Sequence, residues 1–265
     1  MEALKQRKLI KQVRENPNLT GVFEVPLLAL PTVFLIFASL GGFFITTYWY
    51  LEGLLNPAWV VLINSALIFY SFTPIHEATH RSLSSIRKVN DWLGTLSAQL
   101  ILPGFNTELY RYLHVTGHHR HTGETLSDPD LPFLSGPLHK KIVRWVFLDI
   151  LWTRFYFSVW SRRPKGERIR FAVGLFFYLS VFFLGLTSGF VTEFVICYVL
   201  PLAIARIILV YLFADIHHPE GVEQKKDPIG ATGMVRDTNF LQRLLMLGQA
   251  RHLMHHTYPG LPWYR

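Results

Sequence analysis

Eleven of the twelve histidines in this 265-residue chain fall in four short clusters. His76 and His80 lie in "HEATH", and His114, His118, His119 and His121 in "HVTGHHRH". His217 and His218 lie in "DIHHPE", and His252, His255 and His256 in "RHLMHH". Only His139 stands apart, as a surface residue. Imidazole is a ligand for zinc, copper, iron and nickel. The pairs His76/His80, His114/His118 and His252/His256 are spaced i, i+4, which on an α-helix sets two rings on one face about 6 Å apart at Cβ. Each pair can then offer two nitrogens to one ion. Neighbours such as His118 and His119 diverge by about 100° on a helix, so the second ring of a doublet reaches a second ion. A two-metal centre is the economical reading.

"HEATH" also fits HExxH, the zinc-protease helix with Glu77 as general base. A catalytic zinc takes three protein ligands and a water, which leaves most of the clusters unexplained. Without metal, crowded imidazoles repel when protonated and, when neutral, need a partner for each ring nitrogen. The single cysteine, Cys197, excludes an intrachain disulfide or a multi-cysteine metal site; it lies in an apolar run and reads as a buried, inert thiol. The carboxylates Glu77, Glu124, Asp128, Asp130 and Asp215 lie near the clusters and are expected to orient the rings.

Elements that bring four distant clusters together are legible in the hydropathy. Half of the residues are hydrophobic, mean hydropathy is +0.26 and 17% are charged, against about 25% in soluble domains. Twenty-one Phe, eleven Tyr and seven Trp fit helices anchored at a bilayer interface. Four apolar runs, 26–51, 54–75, 171–190 and 193–214, reach the roughly 20 residues a membrane span needs. The first two and the last two are joined by "LEGLLNPAW" and "TSGFVTE", which carry no Lys or Arg. Of 26 Lys and Arg, all but Arg206 lie outside the spans, and two hairpins put those 25 on one side. That distribution is positive-inside. It predicts cytoplasmic termini and a cytoplasmic helical cap, 76–170 and 215–265, carrying every histidine cluster. The net charge of +8 is therefore a topology signal, not a nucleic-acid one. Met1–Asn16 is polar and basic, so no cleavable signal is expected.

"DWLGTLSAQLILPGF" and "RWVFLDILWTRFYFSVW" are too short or interrupted to span, and read as interfacial or re-entrant helices. Residues 221–240 read as a polar linker. Arg206, alone inside a span, is a functional-site candidate or pairs with a neighbouring carboxylate. The predicted fold class is an all-α integral membrane protein, one domain over residues 1–265.

"HEATH", "HVTGHH" and "HLMHH" read as HxxxH, HxxxHH and HxxHH, and together they resemble the three histidine boxes of the membrane fatty acid desaturase and hydroxylase superfamily. The resemblance runs from about His76 to the end of the chain. It implies a di-iron centre that uses O2 and two external electrons to oxidise unactivated C–H bonds of a lipid, with no catalytic side chain beyond the metal centre. The implied ligands are His76 and His80; His114, His118 and His119; His252, His255 and His256; and one of His217 or His218. His121 has no counterpart in the minimal boxes. "HHRHTGETLSDPD" resembles a run of carotenoid ketolases and hydroxylases, with His121, Asp128 and Asp130 as ring-orienting candidates. The expected substrate is a fatty acyl chain, alternatively a carotenoid. Electrons are expected from a separate ferredoxin or reductase.

Overall fold

The computed structural model describes residues 2–235 and 238–265; Arg236 and Asp237, within the predicted linker, lie outside them. Among the described residues there are helices and no strands. The N-terminal helix α1 (Glu2–Arg14) is polar and basic. Next come α2 (Leu30–Leu51), α3 (Pro57–Thr79), α4 (Arg87–Ile101) and α5 (107–121). They are followed by α6 (Leu138–Val146), α7 (Leu148–Ser158), α8 (Lys165–Thr187), α9 (Val191–Asp215), α10 (Phe240–Met246) and α11 (His252–Thr257). Four of these, α2, α3, α8 and α9, are long and apolar enough to cross a membrane. The protein is an integral membrane protein.

Local sequence explains the boundaries. The Asn56 side chain accepts from Ala58 N at 2.9 Å and Pro57 occupies the first turn of α3, where a missing N–H costs nothing. The predicted end of this span at Ile75 is corrected. The helix pauses at Ser71 and resumes at Phe72, so Pro74 falls in the first turn of a new segment and does not stop it. His76 is therefore inside the last turn of α3, and His80 is its C-terminal cap. At that end Arg111 of α5 donates to the Thr79 and Ala78 carbonyls at 2.9 Å and pairs with Asp91 at 2.5 Å. A cation there satisfies orphan carbonyls and complements the helix dipole.

The two apolar stretches of the central segment are helical. The first is α4, pressed on the end of α3 where a Cβ on Gly94 would lie 2.3 Å from that of Ala78. Only glycine lets the two axes come so close, and the contact fixes the helix bearing the first box. The second breaks at Phe147 into α6 and α7. Phe72, Ile75, Ile101, Leu109, Tyr110, Trp145, Trp152, Tyr156, Phe171 and Leu209 form the core between α3, α4, α5, α6, α7, α8 and α9. Asn64 of α3 donates to the Cys197 carbonyl at 2.8 Å and accepts from Thr46. Such bonds join apolar helices where hydrophobicity gives no net attraction. Cys197 is buried.

Arg206 takes the pairing role. Its Nη1 and Nη2 meet the Asp149 carboxylate at 3.0 and 2.9 Å. Its remaining donors reach the Ile101 and Val146 carbonyls at 3.0 to 3.2 Å. Every hydrogen-bonding direction of the guanidinium is met, so the buried charge is structural.

Candidate metal centre

Ten histidines from four separate stretches converge at one end of the bundle. One group holds His76 and His80 from the end of α3, His114 from α5 and His255 from α11; another holds His118, His218, His252 and His256. Within each, one ligand atom per residue lies within 4.8 Å of all the others. His119 joins the two. Its Nε2 is 3.0 Å from Nε2 of both His114 and His255, and its ring stacks on His256 with centroids 4.1 Å apart. His217 is buried and stacks on His252 at 4.9 Å.

The helical register decides which rings share a group. The i, i+4 expectation holds for His76/His80 and His252/His256. It fails for His114/His118, which fall into different groups. Tyr112–His118 is a π-helical segment, whose wider turn bonds i to i+5. That register brings His119, five residues on, against His114 and turns His118 to the other group. Two further π segments, Val195–Val199 and Tyr211–Asp215, occur in α9, the second ending just before His217. Downstream, Gly233 N donates to His217 O at 2.6 Å, Leu253 N to Gly233 O at 3.1 Å and Val235 N to Ala250 O at 2.9 Å. These bonds stitch the third and fourth clusters together.

Several rings have a fixed tautomer. The Nδ1–H of His118 donates to Asp128 Oδ1 at 3.1 Å, that of His218 to the Ala231 carbonyl at 3.0 Å and that of His252 to Gln249 Oε1 at 3.1 Å. Each acceptor is an oxygen, so Nδ1 carries the proton and Nε2 presents a lone pair. Asp130 lies 3.5 Å from the same His118 nitrogen and accepts from Trp152 Nε1 at 2.7 Å. Burial opposes a charge on His118, but the Asp128 and Asp130 carboxylates outweigh it and lift its pKa to about 9, so its Nε2 gives up a proton when it ligates. Burial, reinforced by the neighbouring rings, pushes His114, His119, His252, His255 and His256 well below the ordinary imidazole value. Those rings are neutral lone-pair donors at physiological pH.

The donor set fits metal. Buried Nε2 atoms of His76, His80, His218 and His256 have no hydrogen-bond partner among the described residues, an arrangement costly without a ligand. Two nitrogens each about 2.1 Å from a metal and at right angles would sit about 3.0 Å apart, the separation that His119 keeps from His114 and His255. Imidazole-rich sites of this kind suit iron, zinc or copper, and the two groups provide for two ions.

Other predicted neighbours are placed differently. Asp215 pairs with Lys141 of α6 and is hydrogen-bonded to no histidine ring among the described residues. His121 is partly exposed and bonds Glu124 at 2.9 Å, outside both groups. Glu77 bonds no histidine ring among the described residues: its Oε2 accepts from Thr32 Oγ1 at 2.5 Å and its Oε1 from Trp263 N at 2.7 Å, tying α2 and the C-terminal tail to α3. A small cleft of 120 Å³ lies beside His76, His80 and His255 under that tail. Sequence reasoning missed Gln249, Thr32 and Trp263, whose types carry no metal signal; only chain folding places them. Tyr110, stacked on His114 at 5.3 Å and 10°, was missed for the same reason.

A family model described as fatty acid desaturase matches residues 54–265. No curated protein matches the chain.

Proposed function

The chain belongs to the fatty acid desaturase family, and from that premise we propose that it is a di-iron, O2-dependent oxidoreductase that desaturates a fatty acyl lipid. The observation that carries this reading is the pairing of two four-histidine groups, one buried and one with His80 and His255 half-buried, joined by His119, with no thiolate nearby. His76, His80, His114 and His255 would hold one iron and His118, His218, His252 and His256 the other, with His119 at their junction. His218 is preferred over His217 because it lies within the second group and its Nδ1 is already committed to Ala231. Two irons in this site would supply the O2-dependent oxidation of an unactivated C–H bond.

The protein's own part is positional. Asp128, Gln249 and the Ala231 carbonyl hold three rings with Nε2 inward. Tyr110, Phe72 and Phe213 pack on His114 and His76 and keep that face of the site apolar. A dry surround limits side reactions and suits an apolar substrate. Glu77, which an HExxH protease would need as general base, has both oxygens engaged. The whole chain forms one membrane-embedded domain of two helical hairpins, with termini and histidines on the cytoplasmic side by the positive-inside distribution. Two electrons per turnover come from a separate donor, a ferredoxin or reductase, docking on that basic face.

A second reading, hydroxylation or ketolation of a carotenoid, rests on the run 118–130, whose Asp128 and Asp130 both face His118. Expression in a host that makes both fatty acids and β-carotene separates the two, with metal analysis of the purified protein. The expected result is about two irons per chain and a new acyl double bond. An unchanged acyl profile with oxygenated carotenoid selects the second reading. One zinc and no iron overturns both.

A further inference from the structure

A cavity of 1090 Å³ lies between α2, α4, α8 and α9, walled by Phe43, Trp92, Phe177, Val181, Phe194 and Tyr198. None of the clustered histidines lines it. From its wall to His114, ring contacts run through Phe105, Trp152 and Tyr110. The cavity is thus separate from the metal centre.

Helix α8 is the reason the cavity exists. It is one of the four apolar spans, yet only 6% of its most apolar window is buried. It meets the bundle closely at two glycines. A Cβ on Gly174 would come 2.3 Å from the Gly104 carbonyl oxygen, and one on Gly185 2.7 Å from the Phe194 ring. Between these crossings, about 16 Å apart along the axis, Phe177, Tyr178 and Val181 face the cavity. In a bilayer no hydrophobic force presses helices together, so α8 depends on van der Waals contact along its length. The protein supplies part of that contact, through Phe182 on Phe194 and Tyr198 and the Tyr178–Asp149 hydrogen bond; along the groove the surrounding lipid can supply the rest.

The charged lining groups sit at the ends. Asp91, Glu108 and Arg170 lie at one end and Glu193 at the other. From Arg170 to Ser188 the wall extends about 27 Å along α8, close to the roughly 30 Å hydrocarbon core of a bilayer. Arg170 closes a basic run with Arg162, Arg163, Lys165 and Arg168. Its side chain is 56% exposed, and it pairs with one oxygen of Glu108 through Nε and Nη2, so a phosphate would meet it from the Nη1 side. A cation at the mouth of an apolar groove matches a phosphate above an acyl chain. We propose that this groove binds a bilayer phospholipid that is not turned over, its phosphate at Arg170 and its acyl chains along α8, filling the gap between α8 and the bundle.

Native mass spectrometry of the full-length protein, after extraction in mild detergent and a delipidating wash, tests this. Wild-type protein should keep a phospholipid adduct. Val173→Trp, which fills the groove from α8, should lose it, whereas Leu179→Trp, on the same helix but outside the wall, should keep it. Thr95→Trp fills the groove from α4 and repeats the test should the first variant fail to fold; metal content reports folding in each case. Wild type without an adduct overturns the proposal. Equal retention in the groove-filling and control variants, or a retained molecule that lacks phosphate, overturns it too.

Discussion

Replacing Asp128 by Asn tests the assignment of His118 to the second metal group. Asp128 Oδ1 accepts from His118 Nδ1 at 3.1 Å and Asp130 N at 2.9 Å, and its Oδ2 accepts from Gly123 N at 2.8 Å. An amide keeps the shape but replaces one acceptor by a donor. In one orientation its NH2 opposes Gly123 N–H, and in the other it opposes His118 Nδ1–H. Either way a buried donor loses its partner, at a cost of about 1–3 kcal/mol. The bond to the ring also loses its charge assistance, roughly half its strength. Removing the partner of a ligating ring typically lowers metal affinity about 10- to 100-fold, or about 1.4–2.7 kcal/mol at 1.36 kcal/mol per decade. The loss should fall on one ion, because His118 shares a group with His218, His252 and His256 while His76, His80, His114 and His255 form the other. Chelator competition followed by metal analysis should show one of two irons leaving at about 10- to 100-fold lower chelator, the other unchanged. Asp215→Asn is the control, since Asp215 pairs with Lys141 and should leave both irons in place. Wild-type retention in Asp128→Asn, or equal iron loss in Asp215→Asn, would refute the reasoning.

Three other outcomes follow from the same structure. Arg206→Met leaves the Asp149 carboxylate buried without its cation, and should destabilise the protein by about 3–5 kcal/mol. Thermal unfolding should show the double variant with Asp149→Leu to be more stable than Arg206→Met alone; a single variant as stable as wild type would show the pair to be inert. Glu77→Gln keeps an acceptor for Trp263 N and lets the Thr32 hydroxyl accept from the new NH2, but loses the charge assistance of both bonds; it should cost about 0.5–1.5 kcal/mol, and hydrogen exchange should rise in the tail after Tyr258. Activity should fall but persist, whereas complete loss of activity with both irons bound would return Glu77 to a catalytic role. His218→Ala should lose one iron and His217→Ala should retain two; the reverse pattern would exchange their roles.

Much of this protein is legible from composition and spacing because those report one-dimensional physics. A bilayer demands long apolar helices, and the four runs that meet this demand become α2, α3, α8 and α9. Histidine is costly to bury in numbers without a ligand, so four clusters announce a metal site before any fold is known. The second span runs on past Pro74 to Thr79, since a proline stops a helix only where its missing N–H would have been used. Arg206 was ambiguous because its partner, Asp149, lies 57 residues away.

What the sequence by itself determined is the chemistry available: eleven clustered imidazoles, one thiol, and spans that put the clusters at the same end. The tertiary structure alone decided how those imidazoles divide. HxxxHH is compatible with an α-helical face shared by His114 and His118 or with a π turn that separates them. The π register prevails, aligning His114 with His119 and sending His118 toward Asp128. Likewise, nothing in "HEATH" says that Glu77 binds Thr32 and Trp263, 45 and 186 residues away. Hydrogen-bond partners so distant along the chain become neighbours only when helices pack. That packing turned a protease-like motif into a brace between α2, α3 and the tail.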